Sequence, residues 1–234
     1  MTRPSHMRLR RPAMSPKTHR ATTPTRRPTS PATTPDPPMD PWLVVGLGNP
    51  GPPYALTRHN VGVMAVETLA SRWGGRLTAH KYTRCEVFES RWAGRRVVLA
   101  RGRAYMNESG GPVAVLADHF GVEAHNVLLA HDELDIPFAA LRIKQGGGDN
   151  GHNGLKSVRR SLGTGETVRL RIGIGRPPGR QDPADFVLRP FTGAERQELP
   201  LLLDRCADAI ECVIAEGVAT AQNRFNADPE VGDE

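Results

Sequence analysis

From Trp42 onward the chain alternates short apolar runs with stretches of helical period. The pattern predicts a strand at 42–47 and a helix starting near Asn60, then strands near 84–90 and 95–101. A helix at 110–120 follows, then strands at 126–131 and 140–145, a helix after Asn153, and a strand, TVRLRIGI, at 167–174. In the last segment Leu199, Leu202, Leu203, Cys206, Ile210, Val213 and Ile214 fall on one helical stripe, suited to packing on a sheet. Pro200 sits inside that stripe and is expected to kink the helix or delay its start. Strands interleaved with helices predict an α/β sandwich, and the pattern shows no internal repeat.

Residues 1–41 break this rhythm. They hold ten of the 21 prolines and almost nothing apolar larger than Met, so they cannot build a core. A basic RNA-contacting arm or an organelle transit peptide would explain their charge, but the proline density works against the amphipathic helix of a transit peptide. The segment reads as a disordered basic Pro/Thr/Arg-rich extension ahead of a start at Met39. It also changes the meaning of the net charge. The whole chain is +6, which points to a polyanionic partner, yet residues 1–41 contain eight Arg or Lys against two Asp. Residues 42–234 are left with 23 basic and 23 acidic side chains, so any RNA contact there needs a local basic patch. Three cysteines without a CxxC pair suit a reducing cytosol rather than a disulfide framework or zinc ribbon. With no long apolar run and no signal-like start, a cytoplasmic protein without membrane contact is expected.

Candidate chemistry gathers at a few motifs. VVGLGNPGPPYALTRHN places Gly46, Gly48 and Gly51 in G-x-G-x-x-G spacing after a strand. Pro50, Pro52 and Pro53 remove the backbone donors a pyrophosphate needs, and no acidic residue stands at a strand end about twenty positions on. The loop is better suited to presenting Asn49 and His59 at the carboxyl edge of the first strand. His59 gains weight from Asp132 in LLAHDELD, because a carboxylate partner fixes an imidazole tautomer and stabilises its protonated form. His131, Asp132, Glu133, Asp135 and His152 could instead hold a metal, though no recognisable metal spacing is present. Asp135 reads as part of a solvated turn before Pro137. Ser109 fits a helix N-cap and lacks the G-x-S-x-G setting of a nucleophile. Asn49, Asn107 and Asn153 recur in loop contexts, and an amide can read a peptide backbone or stabilise an oxyanion. KQGGGDNGHNGLKSVRRSL could be a phosphate nest with Lys156, Arg159 and Arg160 behind it, or a flexible lid with a solvated face.

In order, GLGNPG, TRHNVG, YMNESG, AHDELD, GGGDNGHNGLKS and LRIGIG resemble the bacterial-type peptidyl-tRNA hydrolase family over about residues 43–225. The resemblance implies a single-domain α/β/α sandwich around a mixed, largely parallel twisted sheet, acting as a monomer with no cofactor and no metal. It implies cleavage of the ester between a peptide and the 3′-terminal ribose of tRNA, the substrate being peptidyl-tRNA. His59 matches the family's base, Asp132 its carboxylate partner, and Asn49 the residue separating blocked from free aminoacyl substrates. Tyr54, Tyr105, Asn107 and Asn153 match positions lining the substrate and tRNA-end site. Asn150 stands where many members have glycine, and Tyr105 where phenylalanine is common. An ester has a good leaving group, so water activated by a neutral histidine suffices without a covalent intermediate. A non-catalytic RNA-binding module remains the alternative from another class, and it would have no use for the His59–Asp132 pair.

Overall fold

The computed structural model describes residues 40–227. The extension read over residues 1–41 therefore lies outside the described residues, except for Asp40 and Pro41. Seven strands form one sheet: β1 (Trp42–Gly46), β2 (Thr78–Ala79), β3 (Cys85–Trp92), β4 (Arg95–Gly102), β5 (Val127–Glu133), β6 (Leu141–Gln145) and β7 (Val168–Gly173). Their order is β2-β3-β4-β1-β5-β7-β6. The central ladders β4–β1, β1–β5 and β5–β7 are parallel, while β2–β3, β3–β4 and β6–β7 are antiparallel. The sheet is thus evenly mixed rather than largely parallel. One cause is the tight connection between β3 and β4. Ala93 and Gly94 both take positive φ, 47° and 80°, the backbone that a two-residue hairpin requires.

Among the described residues, six helices cover the sheet. Helices α1 (Val61–Arg72), α4 (Pro183–Val187), α5 (Gly193–Glu216) and α6 (Val218–Phe225) bury their apolar residues with Val44, Leu99, Leu128 and Leu170 on one face. On the other face, α2 (Gly110–Phe120) and α3 (Asn153–Leu162) pack on Leu43, Val45, Val98 and Leu129. Every residue of β1 and β5 is buried, as a central parallel strand covered on both faces must be. Pro200 does not delay α5. The helix starts at Gly193 under a capping box, where the Thr192 hydroxyl accepts from the Glu195 N–H and the Glu195 carboxylate accepts from the Thr192 N–H.

Gly46 of the first motif and Gly62, just beyond it, serve packing. A Cβ on Gly62, in the first turn of α1, would collide with the Ala130 carbonyl of β5, and one on Gly46 would collide with the Gly62 carbonyl. Helix α1 therefore starts directly against the carboxyl ends of β1 and β5. That contact sets His59 and Asp132 side by side.

Candidate active site

A cavity of about 610 Å³ opens at this edge, lined among others by Asn49, His59, Tyr105, Asn107, Asp132 and His152. His59 sits in a single 3-10 turn, Arg58–Asn60, just before α1. Its Nδ1 lies 2.9 Å from Oδ1 of Asp132, the penultimate residue of β5. The ionised carboxylate can only accept, so Nδ1 carries the proton and Nε2 keeps its lone pair. The same Asp132 oxygen lies 3.1 Å from Nε2 of His152. His152 is the N-cap of α3, and its Nδ1 accepts the N–H groups of Gly154 and Leu155 at 3.1 and 3.3 Å. Two backbone donors on Nδ1 place the His152 proton on Nε2, aimed at Asp132. Burial pulls the Asp132 pKa up, but the electrostatic attraction of His152 and the hydrogen bonds from His152 and His59 outweigh it and hold the carboxyl well below the usual range.

Neighbouring His131 turns to the other side of β5. Its Nδ1–H donates to the Asp132 carbonyl at 2.8 Å, and burial, with His152 nearby, pushes its pKa down to about 3. His131 is therefore neutral at physiological pH, and its buried Nε2 has no partner among the described residues. Sequence reasoning weighed His152 only as a metal donor. The signal for its actual place was its position directly before a helix start.

Asn49 is fixed at three points. Its N–H donates to Asn60 Oδ1 and its carbonyl accepts from Asn60 Nδ2, both at 2.9 Å. Its side-chain Oδ1 accepts the Met106 N–H at 2.8 Å. That last bond assigns the amide orientation and leaves the two Nδ2 hydrogens for a ligand. Tyr105, Asn107 and Asn153 also line the cavity, so the structure brings six of the seven expected site residues together. Tyr54 is the exception. It stands in a separate 3-10 turn, Pro52–Tyr54, edge-on to Tyr105 with ring centres 6.4 Å apart. Ser109 precedes α2 but does not cap it: its hydroxyl donates to the Met106 carbonyl at 2.8 Å, while Ser157 Oγ accepts the Gly110 N–H at 3.0 Å. Asn150 has φ 49°, the left-handed region where glycine is common and asparagine is the best-tolerated replacement.

The expected metal alternative drew on His131, Asp132, Glu133, Asp135 and His152, whereas the groups that converge among the described residues are His59, Asp132 and His152. They fit a metal poorly. To ligate through Nε2, His152 would have to carry its proton on Nδ1, against two backbone N–H donors. Glu133 is buried against Arg171, whose Nε and Nη2 donate to one carboxylate oxygen at 3.0 and 2.9 Å, and Asp135 pairs with Arg176 at the surface. Another, much smaller cavity of about 130 Å³ is lined by Lys144, Arg169 and Arg171 and shares Glu133 and Asn150 with the first. On α3, Lys156, Arg159 and Arg160 are exposed, with Arg159 3.2 Å from Asp149.

A His–Asp pair with a free imidazole nitrogen beside a cavity is an arrangement able to take a proton from water. Known proteins narrow the class. The family described as Peptidyl-tRNA hydrolase matches residues 43–232. The peptidyl-tRNA hydrolase of Frankia casuarinae is 59% identical over 187 residues, 80% of this chain and 94% of that protein, and that of Rhodococcus erythropolis is 54% identical over 80% and 98%. The crystal structure of peptidyl-tRNA hydrolase from Acinetobacter baumannii superposes with a TM-score of 0.75 at 34% identity, covering 80% of this chain and 95% of that one. The chain belongs to the peptidyl-tRNA hydrolase family.

Proposed function

We propose that this chain hydrolyses the ester joining a peptide to the 3′-terminal ribose of tRNA, with His59 as general base. The observation that carries this reading is the 2.9 Å contact from His59 Nδ1 to Asp132, which directs the unprotonated Nε2 toward the cavity. Water gives a proton to Nε2 as its oxygen attacks the ester carbonyl. The carbonyl oxygen becomes an oxyanion, and the Nδ2 hydrogens of Asn49 are placed to donate to it or to the first peptide link. When the tetrahedral species collapses, the ribose oxygen leaves and takes the proton from Nε2. Asp132 stabilises the transient imidazolium without accepting its proton, in keeping with its lowered pKa. The products are a peptide with a free carboxyl group and a tRNA.

Asn107 and Asn153 extend this amide track along the peptide, with Tyr105 as an apolar wall. The adjoining cavity with its Lys144, Arg169 and Arg171 lining suits a phosphate of the tRNA. Family membership supports a cytoplasmic monomer, which size-exclusion chromatography tests.

The deciding experiment offers the purified protein N-acetyl-aminoacyl-tRNA and free aminoacyl-tRNA and measures release from each. The blocked substrate is cleaved and the free one spared, and His59→Ala lowers turnover by roughly 10²-fold or more. Asn49→Ala lowers the rate and narrows the ratio between the two substrates, because a site built to pair an amide rejects an ammonium. A His59→Ala protein with near-parental turnover removes His59 as the base.

A further inference from the structure

Arg58 plays no part in the chemistry above, yet it is only 3% exposed. Its guanidinium donates to the carbonyls of Arg189 and Pro190 at 3.3 and 2.9 Å and to the Glu195 carboxylate at 2.7 Å, and it lies 4.1 Å from the ring centre of Phe186. Its backbone N–H donates to the Arg189 carbonyl at 3.1 Å, and the preceding residue, Thr57, bridges to Pro190. Burying a guanidinium is costly, and an ion pair of this kind is weak evidence for stability by itself.

What the pairing joins is informative. On one side is the 3-10 turn whose middle residue is His59. On the other is the segment 186–195, which includes Val187 and Leu188 of the cavity wall. The turn has no side-chain cap of its own. The hydroxyl of Thr57 is engaged by the Tyr54 carbonyl at 2.8 Å, and Asn60, at the N-cap of α1, turns back to Asn49. These bonds tie the turn to residues 49–60, and the Arg58 side chain is what joins it to the segment 186–195.

We propose that Arg58 is a positioning residue for the hydrolysis: it clamps the turn carrying His59 onto the segment 186–195, holding the imidazole in line with Asp132 and facing the cavity wall. The inference rests on His59 being the base. A purely structural ion pair would affect stability when broken but would leave the His59–Asp132 bond and the turnover number as they are.

The test compares the parent with Arg58→Lys, Arg58→Met and Glu195→Gln, each followed by thermal unfolding, by hydrolysis of N-acetyl-aminoacyl-tRNA, and by NMR of the histidine ring N–H groups. Arg58→Met, measured below its unfolding transition, should lower kcat by roughly tenfold or more while KM changes little, since misplacing a catalytic group by an ångström has effects of that size. Arg58→Lys should retain more activity, because an ammonium still reaches part of the acceptor set. The His59 Nδ1–H resonance, sharp in the parent, should broaden or vanish in Arg58→Met. A folded Arg58→Met protein with kcat within about twofold of the parent and an unchanged Nδ1–H resonance overturns the proposal. If Arg58→Met does not fold, Glu195→Gln, which removes the negative charge facing Arg58 and keeps an amide oxygen for the Thr192 N–H, decides by the same two readings. The resonance is read without substrate, so it judges Arg58 even if the parent fails to cleave peptidyl-tRNA, the outcome that would count against the function itself.

Discussion

The pairing of His59 with Asp132 was legible because an acid at the end of a buried strand has few structural uses, and that acid gave weight to a histidine that a helix start alone would explain. His152 was not, because its contact with Asp132 spans twenty positions and depends on where the glycine-rich loop returns. Its double duty gives a separable prediction. His152→Ala should lose about 1 kcal/mol of stability with the cap of α3, and roughly tenfold in turnover with one of the two donors to Asp132. His152→Asn restores a good cap but is too short to reach the carboxylate, so thermal stability should recover while turnover stays low. Recovery of both would mean that His152 serves the helix alone. His131 makes a different prediction. Its folded pKa, about 3, lies below the unfolded value near 6.5, so as pH falls through this interval the unfolded chain takes up a proton that the folded one refuses. Stability is full above about pH 6.5 and declines toward pH 3, by an amount on the order of a few kcal/mol. Asp132 adds its own loss only below the ordinary carboxylate range, since its folded pKa is depressed. Denaturant titrations at pH 7 and pH 4.5 should therefore show a smaller drop for His131→Asn, which keeps the N–H toward the Asp132 carbonyl but does not titrate. Equal drops in both proteins would put the acid sensitivity elsewhere.

At the scale of elements, apolar runs and helical stripes located the six longer strands and four long helices to within a few residues. They missed β2, α4 and α6 for physical reasons: β2 is two exposed residues at the sheet edge, α4 has five residues, and α6 continues α5 after a break at Gly217. For α4 the sequence did contain a start signal, Asp182 before Pro183, with the Asp182 carboxylate accepting the Ala184 N–H at 2.8 Å. The misjudged share of parallel pairing has a similar origin, because apolar runs report burial and not direction. The glycines show how strongly packing can override a familiar spacing. Gly62→Ala would force a methyl into the Ala130 carbonyl and push α1 from the sheet, so it should destabilise the fold by roughly 1–3 kcal/mol and lower turnover by displacing His59. Gly111, in the first turn of α2, has open space around its Cβ position, and Gly111→Ala should be neutral or raise stability by up to about 1 kcal/mol. Unfolding midpoints that shift in the same direction for both variants would refute this account of close packing at α1.

For the whole molecule, charge and chemistry occupy different parts of the chain. The excess of six positive charges lies within residues 1–41, and the family match begins at residue 43. About 80% of this chain corresponds to 94–98% of the Frankia casuarinae and Rhodococcus erythropolis relatives, so nearly all of their length is matched by 187 residues of this one. The body also carries the whole described site, from Asn49 to Leu188. Starting translation at Met39 should therefore leave the unfolding midpoint and kcat at their full-length values. Association is another matter. Eight cations on the removed segment add long-range attraction to a polyanion, an effect that fades once the screening length falls below about 10 Å near 0.1 M salt. Full-length and shortened proteins should thus differ in kcat/KM for peptidyl-tRNA at about 20 mM salt, the full-length one being faster and steeper in its salt dependence, and should converge near 0.2 M. A lower unfolding midpoint in the shortened protein would show that the segment packs on the body. A kcat/KM difference that persists at high salt would show that it makes specific contacts with the tRNA rather than steering it.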